Sequence, residues 1–211
     1  MRTLPALAFA LLAPAALAGP VPFDSGWAEQ RLRLFSSNDY AFGTNLGIVS
    51  DGAVSLAWTR VPSSDWGATG ASWSWQVDQS VPATDLRLKG GDDRNISIYF
   101  LFLPQAEAEA LAGANIRRLM GNGSVRILQY AWGGNHGRGE ILASPYAPGQ
   151  GVTVALRQAG TGVFEERVDL AADFRAAFST EPGALVGLAV SADSDDTDSL
   201  IRASVTGMVL R

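Results

Sequence analysis

The chain has 211 residues, 47% hydrophobic and 18% charged, the composition of a globular protein with one sizeable core. It has no cysteine, one histidine and a formal charge of −5, which excludes disulfides, thiolate chemistry and cysteine-based zinc sites. It also offers no basic face for nucleic acid or anionic lipid, so neutral ligands and cations stay open.

Residues 1–18 read as a secretory signal. Arg2 supplies a short positive region, Leu4 to Leu12 is nearly all apolar, and Ala16-Leu17-Ala18 fits a small-residue cleavage site before Gly19. The apolar run is shorter than the roughly 20 residues a membrane-spanning helix needs, so no membrane insertion is expected. The expected mature chain is a single domain over residues 19–211, periplasmic or secreted. Its charge is −6, because Arg2 leaves the −5 of the whole chain.

From there on, short apolar or alternating runs are separated by Gly, Asn, Asp, Pro and Ser. That spacing predicts an all-β, jelly-roll-like antiparallel β-sandwich. The expected strands are Arg31–Phe35, Leu46–Val49, Ala53–Val61, Ala71–Val77, Ile96–Leu103, Val125–Trp132, Val152–Gln158, Val163–Leu170, Leu185–Ala192 and Ile201–Leu210. The run Ile96 to Phe102 is apolar on both faces, as in a central strand covered on both sides. Ile201 to Thr206 alternates instead, so one of its faces should be wet.

One or two short helices interrupt this pattern. Pro104 to Leu119 is rich in Ala, Glu and Leu and begins with Pro at its first turn. Leu170, Phe174 and Phe178 share one helical face, with Asp169 as N-cap, and should close one end of the sandwich.

Aromatic residues mark candidate ligand contacts. Trp73 and Trp75 lie two residues apart on one strand face and read first as core, with Trp75 also a candidate platform for a sugar ring. Tyr99, Tyr130 and Trp132 sit on neighbouring strands. Trp132 opens into Gly133-Gly134-Asn135-His136-Gly137-Arg138-Gly139, which makes it the preferred ligand contact; the loop itself reads as a solvated turn.

Carboxylates cluster at two strand ends. Gly90-Gly91-Asp92-Asp93-Arg94 precedes the central strand, and Asp193, Asp195, Asp196 and Asp198 follow the strand that begins at Leu185. Two such loops at one sheet end can supply oxygens to a hard cation of the calcium kind, with Asp193, Asp195 and Asp92 as ligands and Asp93 as a ligand-binding group. The plainer alternative is that these acids cap turns or pair with Arg. The spacing does not fit an EF-hand, because Asp198 stands at the glycine position and Ser204 at the glutamate position.

No catalytic motif is present. Gly70-Ala71-Ser72-Trp73-Ser74 fails the nucleophile-elbow pattern at its last position. Glu165 and Glu166 point to opposite strand faces, so at most one shares a face with Asp169.

In order, Trp73-Ser74-Trp75, Thr84 to Lys89, Gly91-Asp92-Asp93, Ile98-Tyr99-Phe100, Tyr130-Ala131-Trp132, Glu166-Arg167-Val168, Asp173 to Phe178 and Asp193 to Thr197 resemble the bacterial exported domain-of-unknown-function family 3047. The resemblance spans about residues 24–211. It implies a jelly-roll-like sandwich in the bacterial envelope and brings no established activity. Four positions depart from the family pattern: Ser97 stands for Arg, Ala192 for Thr, Asp196 for Asn, and Ser179 for the Gly after Phe178.

The favoured expectation is a non-catalytic module that binds a glycan or other small polar ligand. One alternative is an enzyme acting on envelope polysaccharide, with acid–base work by a pair from Asp93, Glu166, Asp195 and Tyr130. Another is a structural or interaction module without a small-molecule site.

Overall fold

The computed structural model describes residues 19–211; the leader read at residues 1–18 lies outside them. In chain order the elements are β1 (Ala28–Arg31), β2 (Asp39–Phe42), β3 (Asn45–Asp51), β4 (Ser55–Arg60), β5 (Gly70–Gln79), β6 (Arg94–Leu103), α1 (Gln105–Ala110), α2 (Ile116–Met120), β7 (Arg126–Trp132), β8 (Ile141–Ala143), β9 (Gly151–Arg157), β10 (Gly162–Asp169), α3 (Leu170–Phe178), β11 (Ala184–Asp193) and β12 (Leu200–Leu210). They form a mostly β sandwich. A seven-stranded sheet, ordered β1-β4-β11-β6-β7-β9-β8, faces a five-stranded sheet, ordered β10-β5-β12-β3-β2.

The pairing departs from a purely antiparallel roll at one place, since β7 and β9 run parallel. The chain leaves β7, forms the edge strand β8 and returns antiparallel to it as β9, which inserts between the two. The strand expected at Arg31–Phe35 lies earlier, because β1 ends at Arg31 and residues 32–36 form a turn. Two strands are missing from the sequence pattern, β2 and β8. Both are edge strands of four residues or fewer, too short to show a period.

Strand alternation fills the space between the sheets. Ile96, Ile98, Phe100 and Phe102 of β6 meet Trp73 and Trp75 of β5 and Leu128, Tyr130 and Trp132 of β7. Burying each of these side chains contributes on the order of 1.5–3 kcal/mol. The odd-numbered residues of β6 face the other way. Leu101 and Leu103 pack there with Ala108, Ile116, Leu119 and Val125 of the α1–α2 insertion, which accounts for a strand apolar on both faces.

The helix expected over Pro104–Leu119 is two short helices. The break falls before Asn115, whose side chain accepts from Arg118 N at 3.0 Å and starts α2 afresh. In α3, Asp169 accepts from Ala172 N at 2.8 Å, and Phe174 meets Phe102 at 5.0 Å between ring centroids. That helix closes one end of the core.

Candidate functional site

The insertion covers only part of the outer face of the seven-stranded sheet. Beside it lies a cleft of about 390 Å³, within the usual range for small-molecule sites. Tyr99 and Leu101 of β6 and Gln129 of β7 line its floor, with Leu56, Ala189 and Thr153 from the flanking strands. Ile116 and Met120 of α2 wall one side, and Tyr146 stands in the loop between β8 and β9.

Polarity runs along β6. At its start, Arg94 is buried and charged; Ser97 and Tyr99 follow, and Leu101 ends the series on the apolar side. Arg94 Nη1 lies 2.9 Å from Asp92 Oδ2 and 3.0 Å from Asp193 Oδ2. Its other nitrogens donate to Tyr99 Oη at 2.9 Å and Ser97 Oγ at 3.1 Å. Burial opposes the charge, but Tyr99, Asp193 and Asp92 outweigh it and hold the guanidinium above its ordinary pKa. Gln129 donates to Ser97 at 2.9 Å and accepts from Thr153 Oγ1 at 3.1 Å, so the polar floor is one connected network.

A register irregularity puts Arg94 there. Ser97 pairs with Ser191, but the next pair is Arg94 with Asp193, so β6 carries one extra residue. Without it, Arg94 would share the core side with Ile96 and Ile98.

The acids sit at this same end. Asp93 is fully buried and accepts from Thr197 N at 2.7 Å and Thr197 Oγ1 at 2.5 Å. The turn before β6 and the loop after β11 are therefore one unit. Asp92 also accepts from Tyr146 Oη at 2.9 Å. Burial, opposed by Arg94 and reinforced by Asp195, Asp93 and Asp92, pushes the Asp193 carboxyl well above the usual range.

A model of the family described as "Protein of unknown function (DUF3047)" matches residues 25–209. The chain belongs to this family. No curated protein matches the sequence. Among solved structures, this DUF3047 chain is similar to the xyloglucanase domain of NopAA, a type three effector from Sinorhizobium fredii, in complex with cellobiose. The TM-score is 0.45 at 6% identity, covering 92% of this chain and 97% of that one.

The structure sorts the expected site residues into two groups. Tyr99, Asp92, Asp193 and Asp195 line the cleft. Trp132, Tyr130 and Trp75 do not. Trp132 is 1% exposed, with its ring against Trp75 at 5.6 Å and Phe164 at 5.1 Å, and offers no face to a ligand. Strand parity is the reason. Tyr99 pairs with Gln129 across β6 and β7, whereas Tyr130 pairs with Ile98 and Trp132 with Ile96, both of which face the core. Tyr130 donates to Asp173 of α3 at 2.6 Å, and Trp75 packs at the centre of the core. Asp93 does not line the cleft; it is buried beside it and ties the two loops together.

His136 is also buried rather than solvated. Its Nε2 accepts from Leu86 N at 3.1 Å, and Leu86 lines the cleft. Gly134, at φ +71°, makes this possible, because a Cβ there would lie 2.6 Å from Leu86 Cγ. Glu166 sits elsewhere, held by Arg138 at 2.7 Å and Arg157 at 2.8 Å. Arg94, Gln129, Thr153 and Tyr146 escaped the sequence reading. The only signal for Gln129 was one amide within an otherwise apolar strand.

Proposed function

We propose that this protein binds a glycan in the cleft without cleaving it, in the periplasm or outside the cell. The observation that carries this reading is the gathering around one cleft of two tyrosines, Tyr99 on the sheet floor and Tyr146 in the β8–β9 loop, with directed polar groups from Gln129, Thr153 and Asp92. An aromatic face suits the axial C–H groups of a pyranose, and amide, hydroxyl and carboxylate groups suit its hydroxyls. The polar network fixes these groups before a ligand arrives, which lowers the ordering cost of binding.

The arrangement of acids supports binding over hydrolysis. Cleavage needs two carboxyl groups flanking the scissile bond. Here Asp92 and Asp193 share one arginine nitrogen at one end of the cleft. Glu166 is held by two arginines, and Tyr130 lies in the core. A cleft in place of a flat apolar patch also weighs against a purely structural module.

The test is a glycan array probed with the mature protein, followed by calorimetry on the best binder. Tyr99→Ala and Gln129→Ala should each weaken binding roughly tenfold or more. An array with no binder, or affinity unchanged in both variants, would overturn the reading.

A further inference from the structure

Beside the cleft, Asp93, Asp193 and Asp195 each place a carboxylate oxygen within 4.8 Å of the others. Clustered acids alone often mean only a solvated turn. These are largely shielded: Asp93 is fully buried, and the side chains of Asp193 and Asp195 are 11% and 7% exposed.

The second observation concerns Asp193 itself. Its Oδ2 faces Arg94, but its Oδ1 is buried and has no hydrogen-bond partner. A buried carboxylate oxygen left without a donor costs on the order of 1–3 kcal/mol or more, and native proteins rarely tolerate one. Asp195 Oδ2 meets Arg33 Nη1 at 2.5 Å, off the line of a hydrogen bond, and Arg33 is 58% exposed, so that contact neutralises little.

We propose that Asp93, Asp193 and Asp195 bind one hard divalent cation of the calcium type. The donors are all oxygens, from the turn before β6, the last residue of β11 and the loop after it, and calcium accepts such carboxylates at longer and more variable distances than magnesium. The ion would tie the turn before β6 to the loop after β11 and so fix the acidic end of the cleft. The proposal needs no glycan and stands apart from the reading of the cleft.

The test uses the mature protein, stripped with EDTA and dialysed, titrated with calcium chloride by calorimetry and followed by thermal unfolding. One ion should bind saturably, and the midpoint should rise by roughly 5–10 °C at hundredfold excess over Kd. Asp195→Asn and Asp193→Asn should abolish both effects. Asp198→Asn, an exposed acid of the same loop, should retain them. If Asp193→Asn does not fold, Asp195→Asn carries the test alone. No saturable binding at millimolar calcium, or binding undiminished by Asp195→Asn, would overturn the proposal.

Discussion

Arg94 and Asp193 face each other at 3.0 Å across β6 and β11, although the ladder three residues further along β6 runs in a different register. One extra residue turns a guanidinium from the core side to the cleft side, where Asp92 and Tyr99 complete its shell. Arg94→Ala leaves two buried carboxylates without their cation. The expected cost is about 3–5 kcal/mol in denaturant unfolding, because an uncompensated buried charge is worse than no pair at all. A loss below about 1 kcal/mol would mean that the shell is solvated.

The two groups of aromatic and polar residues separate experimentally. Trp132→Ala removes a fully buried indole and should cost about 3–5 kcal/mol of stability, with ligand affinity of the folded protein little changed. Gln129→Ala should cost only about 1 kcal/mol, the worth of a typical hydrogen bond, and act instead on binding. Paired unfolding and binding curves for the two variants check this inversion.

Ser179 ends α3 at φ 55°, in the left-handed region that favours glycine. It is also a position where the family resemblance implies Gly. Ser179→Gly removes the Cβ clash of that conformation and should raise stability by about 1 kcal/mol. An unchanged or lower midpoint of unfolding would show that the Ser179 side chain contributes something glycine cannot.

Three of the four tyrosines should resist alkali. Burial pushes Tyr40 and Tyr146 up to about 12, and burial together with Asp173 pushes Tyr130 up as well. In the unfolded chain all three ionise near 10. The folded state keeps these protons after the unfolded state has lost them. Their contribution is therefore intact below pH 10 and is lost as pH climbs toward 12 and beyond. Phenolate absorbance of the native protein at about pH 11 should show these three tyrosines still largely protonated, with unfolding setting in above it. Ionisation of all four near pH 10 without unfolding would contradict this.

Much of the fold was legible in the chain. Ile96 to Phe102, apolar at odd and even positions alike, marked a strand covered on both faces, and β6 has the sandwich core on one side and α1–α2 on the other. Leu170, Phe174 and Asp169 marked a capped amphipathic helix that closes the core. These features are local, so periodicity and capping reveal them. The ordered motifs also identified the family over nearly the whole described chain.

The site was legible only in fragments. Composition singled out Asp92, Asp93 and the Asp193–Asp198 loop, but their union through Thr197 and Asp93 joins residues about a hundred positions apart. Trp132 looked like a ligand contact because it opens a glycine-rich loop. Its pairing with Ile96 turns it inward, and a pairing partner is not written in either strand alone. Likewise the extra residue in β6 leaves no trace in the pattern, yet it decides that Arg94 enters the cleft. The sequence by itself determined the elements, the class of fold and the chemistry available at each strand end. Register and the approach of distant loops, which depend on packing across the whole domain, decided which of those side chains meet.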